Sequence, residues 1–189
     1  VPTRFFGQSS SVGQGGRELS IVKTGVGGLD VVRKAFVPTN GYFARFLDVL
    51  SNGTPNAITV DVRLTSHYRF ITKLQGGFNF NRDPRIITTS SGDGLLNVTN
   101  VSDPDHWVMV DDDDDGDPFL ITTLPAVVDI FGGTNATHQV DATDFTVDFT
   151  GRFGRLVKQW NGVTIAPGAT AAFLHFTSEQ VGRAGAVAS

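Results

Sequence analysis

Cysteine is absent from this chain of 189 residues, which excludes disulfides, thiolate metal sites and cysteine catalysis. No apolar run approaches the roughly 20 residues that a membrane-spanning helix needs. Basic residues are also few: 15 Lys and Arg stand against 19 Asp and Glu, and the net charge of -4 leaves no broad basic surface for nucleic acid. An initial Met is missing, since the chain begins at Val1, which indicates a processed protein or a fragment.

Amphipathic helical patterns are missing before about residue 178. Apolar and polar residues instead alternate with a period of two, as in 58–64 and 145–149, and Gly- and Asn-rich turn signals separate such segments at short intervals. The sequence therefore predicts an all-β antiparallel sandwich, jelly-roll or immunoglobulin-like, of about ten strands. The predicted domain spans 29–177, between an N-terminal arm with a Gly/Ser-rich spacer (1–28) and a C-terminal tail (178–189).

A run of aspartates is the strongest motif that is present. Five stand consecutively and are followed by Gly116 and a further Asp. Carboxylates this close repel one another, and calcium, a hard cation that prefers oxygen ligands, would neutralise them. Thr122 stands where a helix-flanked calcium loop has its bidentate Glu, so a solvated acidic turn is the alternative. The predicted calcium ligands are Asp111, Asp113, Asp115 and Asp117.

Catalytic motifs are missing. The sequence has no G-x-S-x-G elbow, no H-E-x-x-H pair and no phosphate-cradling loop. Its histidines (His67, His106, His138 and His175) are scattered without metal-ligand spacing, and His175 lies in an apolar segment that is typical of the core. We therefore predict that the chain is not an enzyme.

The N-terminal arm is the candidate for self-association. Apolar residues on either side of its spacer could pair as a strand with an open sheet edge of another copy. Such a contact, repeated head to tail without closing, gives a filament, a tube or a layer. The alternative is a strand that packs on its own domain. The predicted assembly residues are Val1, Phe5, Phe6, Leu19 and Ile21.

Carbohydrate binding is the rival function. An exposed aromatic ring can offer a flat face on which a sugar stacks. Trp160 precedes the turn signal Asn161-Gly162, which suits a binding platform, and Tyr68 is a further aromatic residue that could present such a face. The alternative for Trp160 is ordinary packing at the edge of a sheet.

Six segments in a fixed order carry a resemblance that covers roughly residues 29–180. Their order is more specific than any one of them. Together they resemble an uncharacterised β-sandwich module of large secreted or cell-surface bacterial proteins, which often lies beside immunoglobulin-like repeats. The segments are 32–38, 41–52, 57–62, 89–93, 106–118 and 163–176.

The resemblance implies an extracellular or cell-surface location and a structural, non-enzymatic role, and it brings neither a substrate nor catalytic residues. Residues 65–85 depart from the pattern, because phenylalanines replace a more polar stretch. The resemblance, the N-terminal arm and the run of aspartates together predict a self-assembling structural module that calcium stabilises. Its partners would be copies of itself or neighbouring surface domains. A carbohydrate-binding, adhesive module with a polysaccharide partner is the alternative.

Overall fold

The fold is that of a computed structural model, which describes residues 3–69, 71–73, 79–81, 84–112, 125–148 and 153–188. The chain divides into two compact units. Unit 1 comprises Val1–Val62 and Asn161–Phe176, and unit 2 comprises Arg63–Trp160 and Thr177–Ser189.

Strands make up nearly all of the regular structure, and they pair as antiparallel neighbours. One sheet has eight strands in the order β1-β2-β3-β4-β13-β10-β9-β8, a second has the order β11-β12-β5, and β6 pairs with β7. The predicted antiparallel β-sandwich is confirmed. The strands are β1 (Ser9–Gly13), β2 (Glu18–Val26), β3 (Leu29–Phe36), β4 (Phe43–Ser51), β5 (Ile58–Arg69), β6 (Ile71–Lys73), β7 (Asn79–Asn81), β8 (Arg85–Thr89), β9 (Trp107–Asp111), β10 (Ala126–Ile130), β11 (Ala142–Val147), β12 (Phe153–Ile165) and β13 (Thr170–Gln180).

The predicted N-terminal spacer is structured. Residues of the Gly/Ser-rich segment form β1, which pairs in register with β2 of the same chain from Ser9 opposite Val22 to Gly13 opposite Glu18. A short 3₁₀ helix, Gln14–Gly16, joins the two strands. All five residues of β1 are exposed, so backbone hydrogen bonds rather than side-chain burial hold this segment. Composition alone could not show this, because small polar residues are compatible with both a linker and an edge strand.

Strand β12 continues through a predicted turn. Its inward residues are Leu156, Lys158 and Trp160 before Asn161-Gly162, and Val163 and Ile165 after it, so the alternation shifts by one residue. Gly162 has a φ of 62°, which favours glycine, and its N–H donates to Asp61 Oδ1 at 2.8 Å. An extra residue at a positive-φ glycine re-aims the side chains of a strand without ending it, as in a β-bulge.

The C-terminal tail packs on a hydrophobic cluster of unit 2. After β13 the chain forms α1 (Arg183–Val187), and Ala186 packs in a cluster with Met109, Ala126 and Val128. Within the parts of the chain that the structure describes, no helix has the length and apolar character needed to cross a bilayer.

Asn52 stabilises the loop after β4 in unit 1. Its side chain is 1% exposed, and its Nδ2 donates to the carbonyls of Asn56 and Ile165 at 2.8 and 2.9 Å. Its Oδ1 accepts from the N–H and the hydroxyl of Thr54 at 3.0 and 2.7 Å. The backbone of Asn52 also exchanges hydrogen bonds with Ala169 and Gly168.

We expect Asn52→Ala to lower the free energy of unfolding by about 1–3 kcal/mol, because the buried carbonyl of Ile165 loses its donor and the partly buried bond to the Asn56 carbonyl is lost with it. Urea denaturation followed by circular dichroism measures this loss. Asn135→Ala removes an exposed side chain of the same type and serves as the control. Equal stability of the two variants would contradict the structural role assigned to Asn52.

Candidate functional site

A cavity of about 280 Å³ lies in unit 2, where the loops before β9 and after β10 come together. The antiparallel pairing of these strands sets Trp107 opposite Ile130, which brings the chain on either side of them side by side. The cavity wall mixes amide, hydroxyl, imidazole and apolar groups. The lining residues are Val98, Thr99, Asn100, Val101, Pro104, Asp105, His106, Gly132, Gln139 and Val140.

His106 is fixed in the cavity wall by its backbone. Its N–H donates to Ser90 Oγ at 2.8 Å, and its carbonyl accepts from Phe131 N at 3.0 Å and Gly132 N at 3.1 Å. Its half-buried ring has no hydrogen bond to any side chain that the structure describes. The backbone at position 106 is therefore held in place, while the ring nitrogens remain available to a ligand.

Gly132 provides the space behind this ring. A Cβ atom at position 132 would lie 3.1 Å from His106 Nδ1, which is tighter than ordinary van der Waals contact. At the neighbouring Gly133, an added Cβ would meet nothing within 4 Å. The absence of a side chain at Gly132 thus helps to set the position of the imidazole.

Asp105 anchors the loop and does not serve as a free acid or base. Its carboxylate is 3% exposed and accepts from the backbone N–H of Ser91 at 3.1 Å and of Asn97 at 2.7 Å. Burial alone would raise the pKa of Asp105, but these hydrogen bonds and those from Thr89 and Ser91 outweigh burial and lower the pKa below its ordinary value. Asp105 therefore stays ionised and keeps the two chain segments together.

Asparagine side chains stabilise the loop of residues 97–102, which forms one wall of the cavity. Asn97 Oδ1 accepts from the backbone N–H of Thr99 at 3.0 Å, and Asn100 Oδ1 accepts from that of Ser102 at 3.1 Å. Such local bonds fix the loop in place of regular secondary structure. On the facing loop, Gln139 Nε2 donates to the Gly133 carbonyl at 2.9 Å. Val101 is fully exposed, so the cavity is open to water on its side.

A second polar group in unit 2, the buried quartet (Ser66, Tyr68, Asp129 and Lys158), lies inside the β-structure. Lys158 Nζ lies 2.7 Å from Asp129 Oδ1, and both side chains have zero exposure. Ser66 Oγ donates to Asp129 Oδ2 at 2.7 Å and accepts from Lys158 Nζ at 3.1 Å. Tyr68 Oη donates to the same Oδ2 at 3.1 Å. Burial and the Asp129 carboxylate raise the pKa of Tyr68 well above its usual range, so Tyr68 remains a donor.

Unit 1 contains a separate charged group around Asp48. The Asp48 carboxylate accepts two hydrogen bonds from the Arg33 guanidinium at 2.6 and 3.0 Å. His175 Nε2 lies 3.6 Å from Asp48 Oδ2, and the His175 ring stacks on Phe46 with centroids 4.9 Å apart. His175 is 7% exposed, which confirms that it is a core residue.

Asp48 makes stability depend on pH. Burial alone would raise its pKa, but interactions with His175 and Arg33 outweigh burial and lower the pKa below the ordinary 3.8. A carboxyl whose pKa is lower in the folded state stabilises the fold above its unfolded pKa, and this contribution is lost as pH falls through the folded pKa.

We therefore expect the melting temperature of the wild type to exceed that of Asp48→Asn at pH 6. The gap should narrow progressively below about pH 4, where the carboxyl becomes protonated. Thermal melts between pH 2 and 7 check this, with Asp103→Asn, at an exposed position, as the control. A gap that stays constant down to the lowest pH would contradict the account.

The first two aspartates of the acidic run are engaged within unit 2. Asp111 Oδ2 accepts from Arg183 Nε at 2.8 Å, and the carbonyl of Asp112 accepts from the same guanidinium at 2.9 Å. Asp113, Asp115 and Asp117 lie outside the described residues. In the ranges that the structure describes, no three acidic or histidine side chains are placed to share a metal ion. The calcium site thus stays a prediction.

The other predicted site residues are placed differently from expectation. Trp160 is 4% exposed and Tyr68 is 6% exposed, so neither ring offers the open face that a stacking platform for a sugar requires. Of the assembly residues, Val1 lies outside the described residues, while Leu19 and Ile21 belong to β2, which pairs with β1 and β3 of its own chain. Phe5 is half-buried and Phe6 is 64% exposed.

Comparisons with known proteins identify the fold. No protein-family profile and no curated sequence matches the chain. A Klebsiella pneumoniae structure assigned as an aldose 1-epimerase aligns over 90% of this chain and 52% of its own, with a TM-score of 0.53 and 10% identity. An Escherichia coli K12 structure with the same assignment aligns over 90% and 67%, with a TM-score of 0.53 and 9% identity. The Slr1438 protein of Synechocystis sp. PCC 6803 aligns over 93% and 65%, with a TM-score of 0.56 and 9% identity.

Identities this low show a shared fold alone, and the chain spans about half to two thirds of the length of these structures. Nevertheless, the neighbours overturn the function predicted from the sequence. They include proteins assigned as sugar epimerases, and no filament-forming surface protein is among the three. The predictions of a non-enzymatic role and of self-assembly by strand addition are therefore wrong. The physical reason is that the arm already pairs with its own sheet.

Proposed function

We propose that this chain acts on the anomeric centre of an aldose, with the cavity of unit 2 as the sugar site. One observation carries the proposal: an imidazole on a hydrogen-bonded backbone lines this cavity, in a fold that proteins assigned as aldose 1-epimerases share. The volume of about 280 Å³ lies near the lower end of the roughly 300–1,000 Å³ that is typical of ligand pockets, which suits a single sugar ring.

The lining supports a sugar better than an apolar ligand. Thr99, Asn100 and Gln139 bring hydroxyl and amide groups that can bind sugar hydroxyls, while Val98 and Val140 provide apolar contact for the C–H face of the ring. Among the lining residues that the structure describes, none is a large hydrophobic side chain. A polar ligand that replaces water must find hydrogen-bonding partners to bind well.

Exchange of anomers passes through the open-chain sugar. The C1 hydroxyl loses a proton and the ring oxygen gains one, so the reaction calls for general acid–base catalysis. Of the lining residues that the structure describes, Asp105 and His106 are ionisable, and Asp105 is committed to backbone N–H groups. His106 therefore removes the proton from the hydroxyl or returns it, and water that enters beside Val101 completes the transfer.

Polarimetry tests the proposal. A freshly dissolved single anomer of an aldohexose such as glucose or galactose relaxes spontaneously towards its equilibrium rotation. We expect the purified chain to accelerate this relaxation in proportion to its concentration. Relaxation at the rate in buffer alone, across a panel of aldoses, would contradict an epimerase function, even if a sugar still bound.

The glycine pair beside His106 tests whether the imidazole position matters. Because an added Cβ at Gly132 presses on Nδ1, we expect Gly132→Ala to lower kcat by about 10-fold or more, since small misplacements of a catalytic group are costly. Gly133→Ala adds the same methyl group where nothing is close, and should keep wild-type kcat. Polarimetric rates of the two variants, with their melting temperatures, provide the comparison. An equal loss of kcat in both variants would assign the effect to the loop as a whole and not to the position of the imidazole.

A further inference from the structure

The buried quartet holds an amine against a carboxyl group, with two hydroxyl groups beside them. Lys158 and Asp129 are fully buried, and their polar contacts within the described residues are confined to the quartet. Removing two charges from water costs several kcal/mol per ion, and replacing a buried pair by neutral groups is often neutral or stabilising. A neutral product formed from the same two side chains would relieve that cost.

We propose that Lys158 and Asp129 condense to an intramolecular amide cross-link. An amine nitrogen 2.7 Å from one carboxyl oxygen lies about 3–4 Å from the carboxyl carbon, close to the roughly 3–3.5 Å of reacting atoms in a near-attack arrangement. Effective molarities of about 10⁵–10⁸ M for such preorganised pairs offset the tendency of amides to hydrolyse in water. The cross-link is independent of the sugar site.

The condensation needs no outside reagent, because every proton that moves comes from the quartet itself. One proton passes from Nζ to Asp129 Oδ1, which gives a neutral amine and a carboxylic acid. Nζ then attacks Cγ, and the C–N bond forms. The nitrogen passes its next proton to Ser66 Oγ, 3.1 Å away, while Ser66 donates its own proton to Oδ2, 2.7 Å away. Oδ2 takes the proton of Oδ1 and leaves as water, and the carbonyl re-forms at Oδ1.

Tyr68 and Ser66 thus have separate roles. Tyr68 donates to Oδ2 at 3.1 Å and stabilises negative charge on that oxygen as the tetrahedral centre forms. Ser66 bridges the attacking nitrogen and the leaving oxygen. The product covalently joins β12 to β10, two strands that belong to different sheets.

The mass of the intact purified chain decides the question. We expect it to be lower than the sequence mass by one water, and peptide mapping should join the segment around Asp129 to that around Lys158, with trypsin unable to cleave after Lys158. Lys34, which lies 3.6 Å from Glu18 in a partly exposed pair, is the internal control and should remain free. An unaltered intact mass would overturn the proposal, as would a water loss mapped to an Asp-Gly succinimide at Asp93 or Asp115.

Two variants test the mechanism. Lys158→Met lacks the nucleophile and should keep its full sequence mass. Ser66→Ala keeps the nucleophile and the carboxyl but lacks the relay, and should lose water at least about 100-fold more slowly. If Ser66→Ala condenses at the wild-type rate, the relay through Ser66 is wrong. Since the wild-type mass is decisive by itself, the test does not depend on either variant folding.

Discussion

Lys158→Met is expected to lower the free energy of unfolding by at least about 3–5 kcal/mol, because it leaves Asp129 charged and fully buried without its cation. Ser66 and Tyr68 still donate to the carboxylate, but neutral hydroxyls do not balance its charge. The same change removes the nucleophile of the proposed cross-link, which adds to the loss. Chemical denaturation of the wild type and the variant measures the difference.

Arg155 provides a matched control on the same strand. Its pair with Asp144 has a 3.4 Å separation and is exposed, so Arg155→Met should cost less than about 1 kcal/mol. The double variant Lys158→Met/Asp129→Leu replaces both charges by apolar groups and should be more stable than Lys158→Met alone. If Lys158→Met were no less stable than Arg155→Met, the energetic account of the quartet would fail.

His106→Asn is expected to lower kcat for anomer exchange by about 100-fold or more, since general acid–base catalysis typically contributes 10²–10⁴-fold. KM should change little, because asparagine fills similar space and can still form hydrogen bonds with sugar hydroxyls. The backbone bonds that hold position 106 do not depend on its side chain, so the variant should fold.

His67→Asn is the control, because His67 is an exposed histidine of unit 2 that does not line the cavity. It should keep wild-type kcat and KM. A rise in KM with unchanged kcat in His106→Asn would assign His106 to sugar binding and remove it from proton transfer. Unchanged values of both would place the reaction away from this cavity.

Much of the fold could be predicted from alternation. In β5, residues 58, 60, 62 and 64 form the inward face, as their pattern predicts, because a period of two is a direct consequence of strand geometry. The turn signal Asn161-Gly162 was misleading, since a glycine at positive φ also permits a bulge within one long strand. The N-terminal spacer was misleading for a similar reason, because its pairing with β2 uses backbone groups that every sequence has.

The buried quartet did leave a signal in the sequence. Lys158 lies on the same face of β12 as Leu156 and Trp160, and Asp129 interrupts the apolar run of β10. A charge at an inward position predicts a partner of opposite charge, but alternation cannot say which strand supplies it.

The cavity left no such signal. His106 and Gly132 meet only because β9 and β10 pair in one register, and single-sequence patterns do not encode the pairing of strands that are far apart in the chain. Absent catalytic motifs therefore could not exclude an enzyme, since one histidine placed by tertiary structure needs no motif.

An NMR titration of the ¹⁵N-labelled chain with an aldohexose tests the central claim most directly. If the cavity is the sugar site, saturable shifts should concentrate at the amides of residues 98–103, 105, 106, 132 and 139–140. The His106 ring should respond in parallel, and the shifts should be absent on titration with a non-sugar polyol such as glycerol. Saturable shifts that concentrate elsewhere, or no shifts at millimolar sugar, would contradict the account.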